Sequence, residues 1–213
     1  WPEIALFATT CIVMVLGLSR SLPMRKASAW VCGIGLLAAL GLSITTTPSG
    51  STVIASGGQA MLPGMAPFAK CLICLVALFL LPLLAGTVDR AEEHRIATGA
   101  GVFNPLRSNR AEFYSFFLFS ITGLLLVADE DNLIWLFLAL ELTSLPTYIM
   151  VAISSERHRA QEAGVKYFFL GALGAAVFLY GFALLYGATG TTNLNAIHES
   201  FLSFFFSSRR RHT

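Results

Sequence analysis

The 213 residues are 55% apolar and 12% charged, with a formal net charge of +2. Soluble domains carry roughly 25% charged residues, so this balance excludes a water-soluble globule, and the lack of a basic field excludes a nucleic-acid partner. The charges sit between long apolar blocks, which predicts an all-α, polytopic transmembrane helix bundle of about six spans. Strands are excluded because the blocks lack period-2 alternation, and open sheets would leave unpaired backbone groups in lipid.

The first span covers about residues 4–18 and opens Trp1-Pro2-Glu3. It has no basic residue ahead of it and no clear small-residue cleavage site, so it does not read as a signal peptide, and without an initiator Met the start is expected to be incomplete. Loop one carries Arg20, Arg25 and Lys26, and the second span covers 27–44. The loop that follows, 45–66, has no charge and is rich in Gly, Ser, Thr and Pro, as an irregular surface connection would be. The third span, 67–86, holds Cys71 and Cys74 in a C-x-x-C; with no second pair and no nearby His, both read as small helix residues, like Cys11 and Cys32. Lys70 lies near the start of this span, where its stem is expected to snorkel outward.

Loop three carries Arg90, Arg95, Arg107 and Arg110, with Glu92, Glu93 and His94 in a short amphipathic stretch. The fourth span is 111–128, and the turn after it holds Asp129, Glu130 and Asp131 without a base. The fifth span is 133–153, loop five carries Arg157 and Arg159 beside His158, and the sixth span is 163–186. Its Gly171, Gly174, Ala175 and Gly181 are expected to let it approach a neighbouring helix closely. Apart from Lys70, bases fall in alternate loops, which by the positive-inside rule puts the N-terminus outside. Residues 1–196 read as one membrane domain, and 197–213 as an atypical tail.

An ionisable side chain at mid-membrane is costly and marks function by default. Glu141 is such a residue, with Ser144 and Tyr148 on its helix face and Pro146 one turn beyond, where a missing N–H favours a local break. This is the chemistry of a proton carrier; the plain alternative is a protonated Glu hydrogen-bonded to a neighbouring helix. Lys166 follows Glu162 by four residues, the favourable order for a helical ion pair, and reads either as a second proton relay or as an interfacial lysine held by Glu162. No phosphate loop, nucleophile triad, haem pair or iron–sulfur spacing is present, so no redox centre and no metal site is expected in this chain.

The stretches Arg110-Ala111-Glu112-Phe113-Tyr114, Glu141-Leu142-Thr143-Ser144-Leu145-Pro146, Glu162-Ala163-Gly164-Val165-Lys166-Tyr167 and Leu185-Tyr186-Gly187-Ala188-Thr189-Gly190 resemble the N-subunit family of the proton-translocating NADH:quinone oxidoreductases, respiratory complex I. The resemblance is specific from about residue 110 to 194, and implies an antiporter-like membrane-arm subunit of about fourteen helices. It implies that Glu141 partners a seventh-helix lysine and that Lys166 is the sixth-helix lysine of the family. It also implies no cofactor here, with NADH, FMN, iron–sulfur clusters and quinone handled by other subunits of the complex, and a bacterial inner membrane or an organellar one as the location. The chain departs from the family after Ile197, where His198 to Thr213 offers three arginines and an apolar run too short to cross. A fragment with a non-native tail is therefore expected. The rivals are a related multisubunit cation/proton antiporter or membrane-bound hydrogenase subunit, an unrelated small-molecule permease, and an assembly subunit.

Overall fold

The computed structural model describes residues 1–17, 22–45, 65–88, 110–154 and 158–210. They form seven helices: α1 (Pro2–Gly17), α2 (Leu22–Thr45), α3 (Met65–Val88), α4 (Arg110–Val127), α5 (Leu133–Ile153), α6 (His158–Thr189) and α7 (Leu194–Arg210). No strand occurs among the described residues, beyond a single antiparallel bridge between Asn132 and Asn193. Each of the six apolar segments is helical, and most extend past their apolar limits into polar sequence. The sixth does so furthest, beginning at His158 and ending where Gly190 takes φ 70° and donates its N–H to the Tyr186 carbonyl at 2.7 Å. That is the left-handed stop that glycine permits.

Four segments are long and apolar enough to cross a membrane: Ala27–Thr45, Met65–Leu84, Leu133–Ile153 and His158–Thr189. Pro2–Gly17 and Ala111–Val127 are apolar but shorter. At 1.5 Å per residue the 16 residues of α1 reach about 24 Å, short of a hydrocarbon core of about 30 Å. These two short helices pack against each other, and α4 also contacts α2, α3 and α5, so it is the hub of the bundle.

The core explains this arrangement. It is built from Leu6 and Val13 of α1, Cys32, Leu36 and Ala39 of α2, Cys74 and Ala77 of α3, and Tyr114, Leu118 and Leu125 of α4. Close approach is made possible by small residues. A Cβ on Gly35 would stand 2.3 Å from Thr9, and one on Gly123 would stand 2.6 Å from the Thr143 backbone nitrogen. Hydroxyls inside the helices return to their own backbone: Thr10 donates to the Leu6 carbonyl, Ser115 to Ala111 and Thr122 to Leu118, each at 2.8 Å. An apolar surrounding offers them no better acceptor.

The last pair is different. α6 packs on α5, and of its residues Gly164 is buried. Tyr167, Phe168, Phe169 and Leu170 are consecutive and all exposed, which covers more than one side of the helix. Gly171 does meet a neighbour, as expected of a small residue, but Gly174 and Gly181 face open space within 4 Å. The basic side chains Arg20, Arg25, Lys26, Arg90, Arg95, Arg107, Arg110 and Arg157 lie outside the described residues, as do Glu92, Glu93, His94, the 46–64 loop and the tail side chains from Phe204 onward.

Candidate functional site

The first candidate site is built on α5. Asn132 caps the helix, its side-chain oxygen accepting from the Ile134 N–H at 2.9 Å. Glu141 follows Leu133 by eight residues, about 12 Å along the axis, which places it near the middle of the 21-residue helix. It is half-buried, and among the described residues none forms a hydrogen bond or ion pair with it.

Hydroxyls surround the backbone beyond Glu141. Ser144 donates to the Leu140 carbonyl at 2.9 Å and Thr147 to the Ser144 carbonyl at 2.6 Å. From α4, Ser120 donates to the Thr143 carbonyl at 3.0 Å. Pro146 lies inside this stretch and supplies no N–H to the Leu142 carbonyl, while these hydroxyls serve the neighbouring carbonyls of Leu140, Thr143 and Ser144. The same face then continues to α6. The Tyr148 ring stands edge-on to Tyr167 at 4.7 Å and to Phe168 at 5.9 Å. Thr147 Oγ1 and Tyr167 Oη are 3.4 Å apart, within hydrogen-bonding reach. Tyr148 fits because residue 171 is glycine: a Cβ there would stand 1.9 Å from the Tyr148 hydroxyl.

Lys166 does not meet Glu141. It pairs with Glu162 at 2.5 Å, and both side chains are mostly exposed, at 74% and 63%. Tyr148, the α5 residue beside Tyr167, is seven residues past Glu141, so the two ionisable sites are offset by about 10 Å along the helices. The polar strip Ser144, Thr147, Tyr148 and Tyr167 lies between them.

A second charged site lies at the end of the bundle that holds the N-terminus. Lys70 does not snorkel outward there. It is 7% exposed and turned inward, its ammonium paired with Glu3 of α1 at 2.6 Å and with Asp129 of the α4–α5 turn. A buried cation with two carboxylate acceptors is better served than one reaching for the surface. Beside Asp129, the Glu130 carboxyl is pushed up from its ordinary value by burial and by the neighbouring Asp129 and Asp131 charges. The sequence carried a hint of this triad, since Glu3, Lys70 and Asp129 all fall at one predicted depth. Only the packing of α1, α3 and α4 joins them.

The same turn is tied to the α6–α7 connection. The Leu133 N–H donates to the Thr192 carbonyl and the Leu194 N–H to the Asp131 carbonyl, both at 2.8 Å. Asn132 Nδ2 donates to the Thr192 hydroxyl at 3.0 Å, and Asn193 Nδ2 to Asp131 at 3.2 Å. Asn193 in turn caps α7, its side-chain oxygen accepting from the Asn195 and Ala196 N–H groups at 3.0 and 3.2 Å. Two helix starts are thus capped side by side.

Comparison with known proteins agrees with this architecture. Residues 130–211 match the family described as NADH:quinone oxidoreductase/Mrp antiporter, transmembrane. The chain is 33% identical over 198 residues to an NADH-quinone oxidoreductase subunit N of Halorhodospira halophila, covering 93% of this chain and 38% of that relative. It superposes on a chain of respiratory complex I from Thermus thermophilus with bound aureothin at a TM-score of 0.66 and 30% identity, over 91% of this chain and 38% of that one. A chain of an archaeal membrane-bound sulfane sulfur reductase shares the fold at a TM-score of 0.62 and 22% identity, over 92% of this chain and 37% of that one. The chain therefore spans well under half the length of the relatives it matches.

Proposed function

The chain belongs to the NADH:quinone oxidoreductase/Mrp antiporter transmembrane family, and from that premise we propose that it is part of an N-type membrane-arm subunit of a proton-translocating NADH:quinone oxidoreductase. The observation that carries the proposal is Glu141: a half-buried carboxylate halfway along a membrane-length helix, with no cation beside it among the described residues. An ionisable side chain so placed is costly in a membrane and marks function by default. Glu141 is the proton relay, and its cationic partner comes from outside the described residues. The strip Ser144, Thr147, Tyr148 and Tyr167 carries hydroxyls toward the Lys166–Glu162 pair, which acts as a second relay nearer the opposite end.

Electron transfer from NADH to quinone takes place on other subunits, which hold FMN and the iron–sulfur clusters; this chain carries no redox centre. Its partners are the other membrane-arm subunits and the lipid around them, and its location is the bacterial inner membrane. The alternating basic loops support an outside N-terminus. On that orientation the Lys70 triad faces outside.

The test uses the full-length protein inside its complex. Glu141→Gln is expected to remove most NADH-driven proton pumping while the complex still assembles, and Lys166→Ala to have a milder effect. Wild-type pumping with Glu141→Gln rejects the relay. The family's cation/proton antiporter branch is the second reading, and ion exchange that proceeds without NADH or quinone would favour it.

A further inference from the structure

The Lys70 triad plays no part in the proton path just described, yet it sits on the turn from which the Glu141 helix starts. Four segments converge there: the start of α1, the first turns of α3, the α4–α5 turn and the α6–α7 connection. Two joints hold them. In one, Lys70 bridges Glu3 and Asp129; in the other, Asn132 and Asn193 cap adjacent helices while Leu133 and Leu194 exchange backbone hydrogen bonds with Thr192 and Asp131. Asp129 and Asp131 belong to the same short turn, so the joints are continuous. Together they form a polar strap across one end of the bundle.

We propose that Lys70 is a positioning residue for Glu141, acting through this strap. From Leu133 to Leu145 α5 is an uninterrupted helix, and Pro146 then removes a backbone hydrogen bond. The segment that carries Glu141 is therefore directed from its start and less firmly from below. Its start is fixed to α1 and α3 by Lys70 and to α7 by the paired caps. On its side, it is fixed to α4 by the Ser120–Thr143 hydrogen bond. Loosening the strap lets the first two turns of α5 tilt or rotate, and Glu141 moves with them. A relay that depends on the distance between a carboxylate and its cation is sensitive to a displacement of about 1 Å.

The inference rests on the proton-relay role of Glu141, so its test reads the strap and the relay separately, again in the full-length protein within its complex. Lys70→Met keeps the length and removes the charge; Lys70→Arg keeps the charge. Amide exchange over residues 133–141 and 194–197 reads the strap. Protons moved per NADH oxidised by assembled complex read the relay, a ratio that a mere loss of assembled protein does not change. Lys70→Met is expected to speed exchange in those segments about tenfold, as the loss of a charged hydrogen-bonded joint implies, and to lower the proton ratio. Lys70→Arg is expected to restore both. Where Lys70→Met prevents assembly, Asp129→Asn makes the same test, because Asp129 is nearly half exposed and easier to replace. Unchanged exchange over 133–141 overturns the strap. Faster exchange with an unchanged proton ratio overturns the positioning role. Should Glu141→Gln itself pump normally, the relay role falls instead, while the exchange result still decides the strap.

Discussion

The first four helices close on one another, and the α5–α6 pair does not. The difference is plainest in the ionisable residues. Lys70 of α3 finds both of its carboxylates within the chain, whereas Glu141 of α5 finds no cation among the described residues. Burial differs too: α1 to α4 each bury apolar side chains, such as Leu6, Leu36, Cys74 and Leu118, beside exposed ones such as Val15, Trp30 and Phe79, whereas Gly164 alone is buried among the described residues of α6. A charge neutralised within its own bundle holds structure together. A charge left open on a membrane-length helix, beside a helix whose apolar side chains are mostly exposed, marks a site that the closed part does not have.

Five substitutions test that division. The largest effect is expected at Lys70. Lys70→Ala strands Glu3, whose side chain is 13% exposed, and Asp129, which is 47% exposed. Breaking a buried pair by removing one partner costs about 3–5 kcal/mol, and the exposure of Asp129 brings the expectation to about 3. Lys166→Ala, whose pair is mostly exposed, is expected to cost at most about 0.5 kcal/mol. Unfolding in detergent measures both, and equal losses would erase the distinction between the two ion pairs.

Next comes the glycine contrast. At Gly123 a Cβ would meet backbone atoms of Thr143 and Leu142 within 2.9 Å, and backbone cannot swing aside. Gly123→Ala is expected to cost about 1–3 kcal/mol as overpacking. At Gly174 a Cβ meets nothing within 4 Å, so Gly174→Ala is expected to be neutral or to stabilise this chain by up to about 1 kcal/mol through helix propensity. If Gly174→Ala instead impairs assembly of the full complex, a further helix sits against that glycine.

The smallest effect is expected at Glu130, and it depends on pH. Its folded-state pKa is raised, by burial first and by Asp129 and Asp131 after that, so the ionised form is disfavoured in the fold. The charged carboxylate therefore subtracts stability above that raised pKa, and the penalty disappears as the pH falls through it. Glu130→Gln is expected to stabilise slightly at neutral pH and to make no difference in acid. A benefit that persists unchanged at low pH would show that charge is not the cause.

Much of this was legible because hydrophobicity over a membrane thickness is a local property. Each apolar block is helical over its described residues, and the fifth has the sequence-derived bounds 133–153. Glu141 stood out for the same reason: one carboxylate among Leu, Ala and Phe needs no partner to be noticed. The extension of α6 back to His158 was not legible, since polar residues continue a helix without an apolar signal. The inward turn of Lys70 was misread as snorkelling because its acceptors are 67 residues before it and 59 after it. The Thr147–Tyr167 contact, between two helices, gave no signal in either helix alone.

The sequence by itself determined the helical class, the position of each apolar helix and the placing of Glu141 halfway along one of them, because each depends on residues within a turn or two of one another. The tertiary structure alone decided which charges are answered. Lys70 is neutralised because three helix ends meet at one level, and Glu141 stays open because α5 turns that face away from the closed core. Pairing in a low-dielectric interior is a matter of a few ångströms between distant segments, and only the packed bundle sets that distance.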